Sequence, residues 1–227
     1  GLLYGDGVFE GICVYDGRIF RLNQHLRRLY ESAKTIHLHV PLGPEEFAAA
    51  IAETVRRNCL RDGYVRPIVT RGIGKLGLDP RNCTRPTTII IPQRLQDYPL
   101  LVARREPVRA IVSSMRRNPP YSIPASAKTL NYLNNILAKL QATYAGADEA
   151  IMLDWRGFVS EGTGHNLFIV REGSVFTPPE QSSVLRGVTR DAILEIASAL
   201  GIPAEERELT LHDLYNADEA FLTSTSV

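Results

Sequence analysis

Two side chains stand out for what they could do to a carbonyl compound. Lys128 lies in Ala125-Ser126-Ala127-Lys128-Thr129-Leu130-Asn131-Tyr132, after a loop rich in Pro and Ser and at the start of a predicted helix. Peptide dipoles at a helix N-terminus are positive, which disfavours an ammonium and lowers a lysine's pKa. A neutral amine is what Schiff-base chemistry with a carbonyl cofactor requires. A solvated surface lysine is the plain alternative. Glu161 lies in Ser160-Glu161-Gly162-Thr163-Gly164-His165-Asn166-Leu167-Phe168, just before an apolar strand. A carboxylate there could face a cleft and hold a proton on a ring nitrogen, or it could be an acid on a surface turn.

Two further segments could take an anion. In Leu185-Arg186-Gly187-Val188-Thr189-Arg190 a glycine opens a helix, so unpaired backbone N–H groups and the Thr189 hydroxyl can converge on one point. The run Thr223-Ser224-Thr225-Ser226 offers further hydroxyl and amide donors. An ordinary capped helix and a polar loop are the corresponding plain readings. Taken together, an amine, a partner for a ring nitrogen and a phosphate cradle form the inventory of a pyridoxal phosphate site. No Gly-x-Gly-x-x-Gly follows a strand and opens a helix, and no Walker-type lysine motif occurs. His25, His37, His39, His165 and His212 are scattered without ligand spacing, so no metal site is expected.

The elements that must position these groups alternate between strand and helix. With 227 residues, of which 44% are hydrophobic, the chain can build one large or two modest domains around a sizeable core. The 26 Lys+Arg against 25 Asp+Glu argue against a nucleic-acid binder. No apolar run approaches the roughly 20 residues of a membrane span. The three cysteines, odd in number and without metal spacing, suit a reducing compartment, so a cytoplasmic protein is expected. Residues 8–15 and 18–20 read as a hairpin around Asp16-Gly17. Helices are predicted over 25–36, from Pro44 to Arg57, over 130–144 with Leu133, Ile136, Leu137 and Leu140 marking the apolar face, and over 188–200. Strands are predicted over 64–70, 87–91, 108–113, 149–153, 166–170 and 174–177. The polar, proline-punctuated stretch from Pro92 to Arg105 reads as a linker. Both ends read as abrupt, and flanking strands are expected outside this stretch.

Glu161 with Asn166-Leu167-Phe168, Val175-Phe176-Thr177 and Leu185 to Arg190 together resemble, in type and spacing, the signature of class IV pyridoxal-phosphate aminotransferases. Tyr4 to Ile12, Arg21 to Leu29, Tyr64-Val65-Arg66-Pro67, Lys128 to Tyr132 and Glu149 to Asp154 resemble further family blocks, so the likeness covers nearly the whole chain. It is similar above all to the branched-chain amino acid aminotransferases. The resemblance implies a mixed α+β and α/β chain with the two-domain architecture of fold-type IV enzymes. A small N-terminal domain would span 1–92, a linker 93–104, and a larger, pseudo-barrel cofactor domain 105–227.

Roles follow from the resemblance residue by residue. Lys128 would form the internal aldimine with pyridoxal 5′-phosphate and then move the proton between the substrate Cα and the cofactor. Glu161 would pair with the pyridinium nitrogen, Tyr132 with the phenolic oxygen, and Leu185 would pack on the ring. Arg28, adjacent to Arg27 on one helix, would hold the phosphate with Gly187, Val188, Thr189, Ser224 and Thr225. Tyr64, Arg66 and the amides around Thr225 and Ser226 would receive the substrate carboxylate. Tyr4 and Phe9 would line the side-chain pocket, with Leu78 supplied by a partner subunit of a homodimer or higher homo-oligomer. The implied reaction moves the amino group of branched-chain L-amino acids to 2-oxoglutarate. A D-amino acid or (R)-amine transaminase, or an aminodeoxychorismate lyase, is the alternative on the same fold. Small amino acids and 2-oxo acids are the expected partners, with no nucleic acid or membrane.

Overall fold

The computed structural model describes residue 1, residues 3–94 and residues 107–225. Most of the expected linker and Ser226 therefore lie outside the described residues. The described chain forms two compact units, one built from residues up to Arg94 together with Ala127–Asn131, the other from 107–126 and 132–225. Among the described residues no helix is long and apolar enough to cross a membrane.

The first unit is a sheet covered on one face by two helices. Its central strand β4 (Gly63–Thr70) pairs antiparallel along one edge with β1 (Gly7–Phe9) and β2 (Ile12–Tyr15), and along the other with β5 (Thr87–Arg94). β3 (Arg18–Ile19) closes the β2 hairpin through Asp16-Gly17, both at positive φ. The expected single strand over 8–15 is split in two, and Pro67 is the reason. Glu10 N–H donates to the Pro67 carbonyl (2.9 Å), but proline has no N–H to return, so one rung of the ladder is missing.

Helix α1 (Leu22–Thr35) and helix α2 (Pro44–Arg57) pack on the face bearing Val8, Ile12, Val14, Val65 and Val69. α1 contributes Leu26 and Leu29, and α2 contributes Phe47, Ile51 and Val55. Strand side chains alternate between faces. Phe9, Tyr64 and Arg66 therefore stand on the opposite face from this core. Pro44 occupies the first turn of α2, where its missing N–H costs nothing, and Glu46 accepts the Gly43 N–H (2.8 Å).

In the second unit, β6 (Ala110–Arg116) and β7 (Glu149–Leu153) run parallel, joined through helix α3 (Leu133–Tyr144). A second sheet runs in the order β10 (Ala204–Glu206), β9 (Ser174–Thr177), β8 (Asn166–Arg171), β11 (Glu219–Thr223). The rings of Phe168 and Phe221 stack across β8 and β11, 5.0 Å apart. Helix α4 (Val188–Ala199) precedes β10, and the short α5 (Leu211–Tyr215), capped by Thr210 and Asp213, precedes β11.

The face expected to bury α3 is the wrong one. Leu133, Ile136, Leu137 and Leu140 are exposed, while Asn135, Ala138 and Ala142 are buried. Ala138 and Ala142 form a cluster with Ala150 and Met152 on β7, joined by Ile111 and Met115 of β6. Small side chains let the helix backbone approach the strands, and the polar member Asn135 is satisfied there by Arg117 and the Thr163 carbonyl. Periodicity locates a stripe; close approach decides which stripe is buried. An Ala138→Leu substitution is accordingly expected to overpack this contact and cost about 1–3 kcal/mol, measurable as a lowered denaturation midpoint. Unchanged stability would mean that α3 does not pack through this face.

Candidate active site

In the first unit Lys128 lies in an extended stretch, not at a helix start. Phe9 N–H donates to the Lys128 carbonyl (3.1 Å), and Leu130 N–H to the Gly7 carbonyl (2.9 Å). Val8 stands opposite Thr129 in an antiparallel bridge, and the Lys128 N–H donates to the Ser32 hydroxyl on α1 (2.9 Å). With these backbone groups engaged by β1 and α1, the helix begins only at Leu133. Lys128 therefore does not occupy the helix start expected from the sequence, because its peptide groups align with a sheet. Asn131 fastens the end of the segment by donating to the Gly5 carbonyl (2.8 Å).

The Lys128 side chain projects over Phe9, its Nζ 4.6 Å from the ring centroid. The Arg66 guanidinium lies 5.1 Å from the same ring and 5.2 Å from that of Tyr64. Arg66 Nη2 also donates to the Tyr64 hydroxyl (2.7 Å). Ring quadrupoles attract both cations, so Phe9 holds Lys128 and Arg66 to one apolar surface. A Cβ at Gly11 would collide with the Tyr64 hydroxyl, so glycine is what lets that phenol sit against the backbone. The predicted residues Phe9, Tyr64, Arg66 and Lys128 are thus brought together by β1, β4 and the 127–131 segment.

Of the two adjacent arginines on α1, Arg27 is exposed and Arg28 turns inward. Arg28 meets the carboxylate of Glu10 through Nε (2.6 Å) and Nη2 (2.8 Å), and His25 Nδ1 meets the same carboxylate at 2.8 Å. Burial alone would raise the Glu10 carboxyl. The charge of Arg28 and the hydrogen bonds from His25 and Arg28 outweigh it and bring the pKa from 4.5 to about 2. Tyr4 is half exposed, and Leu78 is 83% exposed on the loop before β5, not part of a core.

In the second unit Glu161 is buried, and several groups bind its carboxylate. Arg117 Nη2 pairs with Oε1 (2.8 Å), while Asn166 Nδ2 and the Leu185 N–H each donate to Oε2 (3.1 Å). Asn166 also donates to the Leu185 carbonyl (2.8 Å). A Cβ at Gly187 would strike the Asn166 amide oxygen, so the glycine at the N-cap of α4 makes room for the side chain that holds Glu161. Arg117, itself buried, is anchored by Asn135 (3.0 Å). Sequence reasoning missed Arg117, which carries no local signature. It also missed Glu10, although the alternation Val8-x-Glu10-x-Ile12-x-Val14 places an acid at a core position.

The loop carrying Glu161 is held by a second carboxylate. Glu149 accepts from the Thr163 hydroxyl (2.6 Å), from the N–H groups of Ala150 (2.7 Å) and Thr163 (3.3 Å), and meets His165 Nδ1 at 2.6 Å. Burial would raise the Glu149 carboxyl, but the hydrogen bonds from His165, Thr163 and Ala150 prevail and set it at about 2. Val188 and Thr189 form the first turn of α4, where N–H groups point outward. Tyr132 is the N-cap of α3, and Ser224 and Thr225 follow β11. Thr223 Oγ1 is buried without a hydrogen-bond partner.

Residues 7–227 match the family model for class IV aminotransferases. The chain belongs to that family. A putative branched-chain-amino-acid aminotransferase of Methanocaldococcus jannaschii is 53% identical over 226 residues, spanning 100% of this chain and 77% of the relative. The crystal structure of the Escherichia coli branched-chain amino acid aminotransferase superposes with a TM-score of 0.93 at 38% identity, covering 99% of this chain and 76% of that one. A T.th. branched-chain amino acid aminotransferase complexed with N-(5′-phosphopyridoxyl)-L-glutamate gives a TM-score of 0.90 at 40% identity, over 99% and 74%. The fold is accordingly the fold-type IV architecture, and the cofactor of this class IV aminotransferase is pyridoxal phosphate. Groups of the kind that cofactor calls for are present in each unit: an amine at Lys128 in the first, and in the second a buried carboxylate at Glu161 and a helix N-terminus preceded by Gly187, where a Cβ would strike the Asn166 amide.

Two outcomes test this geometry. Gly187→Ala should push Asn166 off Glu161 and cost about 1–3 kcal/mol in stability, read by denaturation, together with weakened cofactor retention. Unchanged values would show that Asn166 does not need the space. Glu10 and Glu149, each with a folded pKa of about 2 against an ordinary 4.5, contribute stability that is fully present above their unfolded pKa. It is lost as the pH falls through the folded value. Denaturation midpoints should fall between about pH 4.5 and pH 2, and Glu149→Gln should flatten that slope.

Proposed function

We propose that this class IV aminotransferase moves the amino group of branched-chain L-amino acids to 2-oxoglutarate. The observation that carries the reading is the face of the first unit on which Phe9, Tyr64 and Arg66 meet Lys128. An aromatic surface suits an apolar side chain, and a guanidinium bonded to a phenol suits a carboxylate. The relatives' names point the same way.

Bound pyridoxal phosphate supplies an aldehyde that condenses with amines and a protonated ring that draws electrons from the substrate. The rest is done by the chain's own residues. Lys128 provides the amine that holds the cofactor and then carries the proton at the substrate Cα. Glu161, oriented by Arg117, Asn166 and the Leu185 N–H, holds the proton on the ring nitrogen. Arg28, Gly187, Val188, Thr189, Ser224 and Thr225 bind the phosphate, Tyr132 the phenolic oxygen, and Leu185 packs on the ring. Tyr64, Arg66, Thr225 and Ser226 orient the substrate carboxylate, with Tyr4 and Phe9 beside its side chain. Leu78, exposed on its loop, serves the pocket of a second copy, so activity requires at least a dimer; an active monomer by light scattering would overturn that assignment.

The decisive measurement is the visible spectrum of the protein supplied with pyridoxal phosphate, before and after L-leucine. L-leucine should convert the cofactor to its amine form, and 2-oxoglutarate should restore it. Lys128→Ala should lower the rate by at least about 10²-fold. A spectrum moved by D-alanine or an (R)-amine but not by L-leucine would transfer the assignment to the corresponding transaminase. Release of pyruvate from aminodeoxychorismate would transfer it to the lyase.

A further inference from the structure

We propose that Glu10 is a positioning residue for phosphate recognition: held by His25, its carboxylate grips the Arg28 guanidinium side-on and aims it at the 5′-phosphate of pyridoxal phosphate. The proposal rests on the reading of Arg28 as a phosphate ligand and adds the two residues that orient it.

The alternation along β1 and β2 sends Val8, Glu10, Ile12 and Val14 to the side packed by α1. The three valine and isoleucine side chains are core, and Glu10 among them is wholly buried. An isolated carboxylate at such a place is strongly disfavoured unless it is paired and hydrogen-bonded. Its partners come from one stripe of α1, where His25, Arg28 and Ser32 fall at helical spacing. Contact through both Nε and Nη2 uses both carboxylate oxygens, so it sets the plane of the guanidinium as well as its direction. A single hydrogen bond would leave the group free to swing.

His25 adds orientation without competing charge. A carboxylate only accepts, so the proton of the neutral ring sits on Nδ1 and donates to Glu10 Oε2. Burial pushes the imidazole below its ordinary pKa, which keeps it neutral. Its Nε2 is buried with no hydrogen-bond partner, so the ring forgoes one hydrogen bond while it steadies Glu10. The same α1 stripe ends in Ser32, whose hydroxyl takes the Lys128 N–H. One rigid helix face thus sets both the phosphate arginine and the backbone of the catalytic lysine.

A merely structural ion pair would affect every ligand alike, whereas a positioning role concerns the phosphate alone. The test compares dissociation constants of the apo protein for pyridoxal phosphate and for pyridoxal, which lacks the phosphate. Wild-type protein should prefer the phosphorylated form strongly. Glu10→Gln should reduce that preference by about tenfold, and Glu10→Asp, which keeps the charge but draws the carboxylate back from Arg28 by one methylene, by less. In an Arg28→Lys background Glu10→Gln should change the preference no further. A Glu10→Gln protein that weakens both ligands equally, or melts lower with its preference intact, would overturn the proposal. Should that variant not fold, an unchanged preference in Glu10→Asp does the same. Wild-type protein that shows no preference for the phosphorylated form would overturn the reading of Arg28 itself, before any variant is made.

Discussion

Removing a carboxylate from water costs several kcal/mol unless charge and hydrogen bonds replace what the solvent supplied. Glu10, Glu149 and Glu161 are all buried, and each is compensated by groups from other segments of the chain. Glu10 draws α1 onto the β1–β2 edge. Glu149 draws the 163–165 loop onto β7. Glu161 joins Arg117 after β6, Asn166 at the start of β8 and the amide of Leu185. Because an unpaired carboxylate is so unfavourable, each one holds its surroundings in a single arrangement.

Close approach is the complementary requirement. Glycine at 187 admits Asn166, and glycine at 11 admits the Tyr64 hydroxyl. Alanines at 138 and 142 let α3 settle on β6 and β7. At Gly187 the backbone is in ordinary extended space (φ −75°), so the demand there is for volume and not for an unusual torsion. The residues that permit contact are as necessary to the site as those that make it.

The two units differ in the groups they gather. The first unit holds cationic and aromatic groups: Lys128, Arg66 and Arg28 with Phe9 and Tyr64. The second holds the buried acid Glu161 with Arg117 and its amide donors, and a helix start at Val188. A transaminase needs an amine and cationic anchors for carboxylate and phosphate, together with a fixed negative charge for a ring nitrogen. The chain belongs to the class IV aminotransferase family, and these are the groups to which the proposed roles fall. The Arg117–Glu161 pair shows that the acid is itself held in place and is not simply an exposed base.

The sequence alone singled out Lys128, Glu161 and the Gly187-Val188-Thr189 turn as candidates, because the type and spacing of neighbouring residues survive in a linear string. It also placed α2, β7 and β9 closely, where proline, turn residues and alternation agree. Other features depended on which residues meet in space. The missing rung at Pro67 split one predicted strand, and pairing with β1 kept Lys128 out of the helix. Backbone approach turned the leucine stripe of α3 outward. The partners of the buried acids, Arg117 for Glu161 and His25 with Arg28 for Glu10, are separated in sequence by 15 to 44 residues. Local periodicity carries no information about charge pairs over that distance; only the folded chain, which must neutralise every buried charge, decides them.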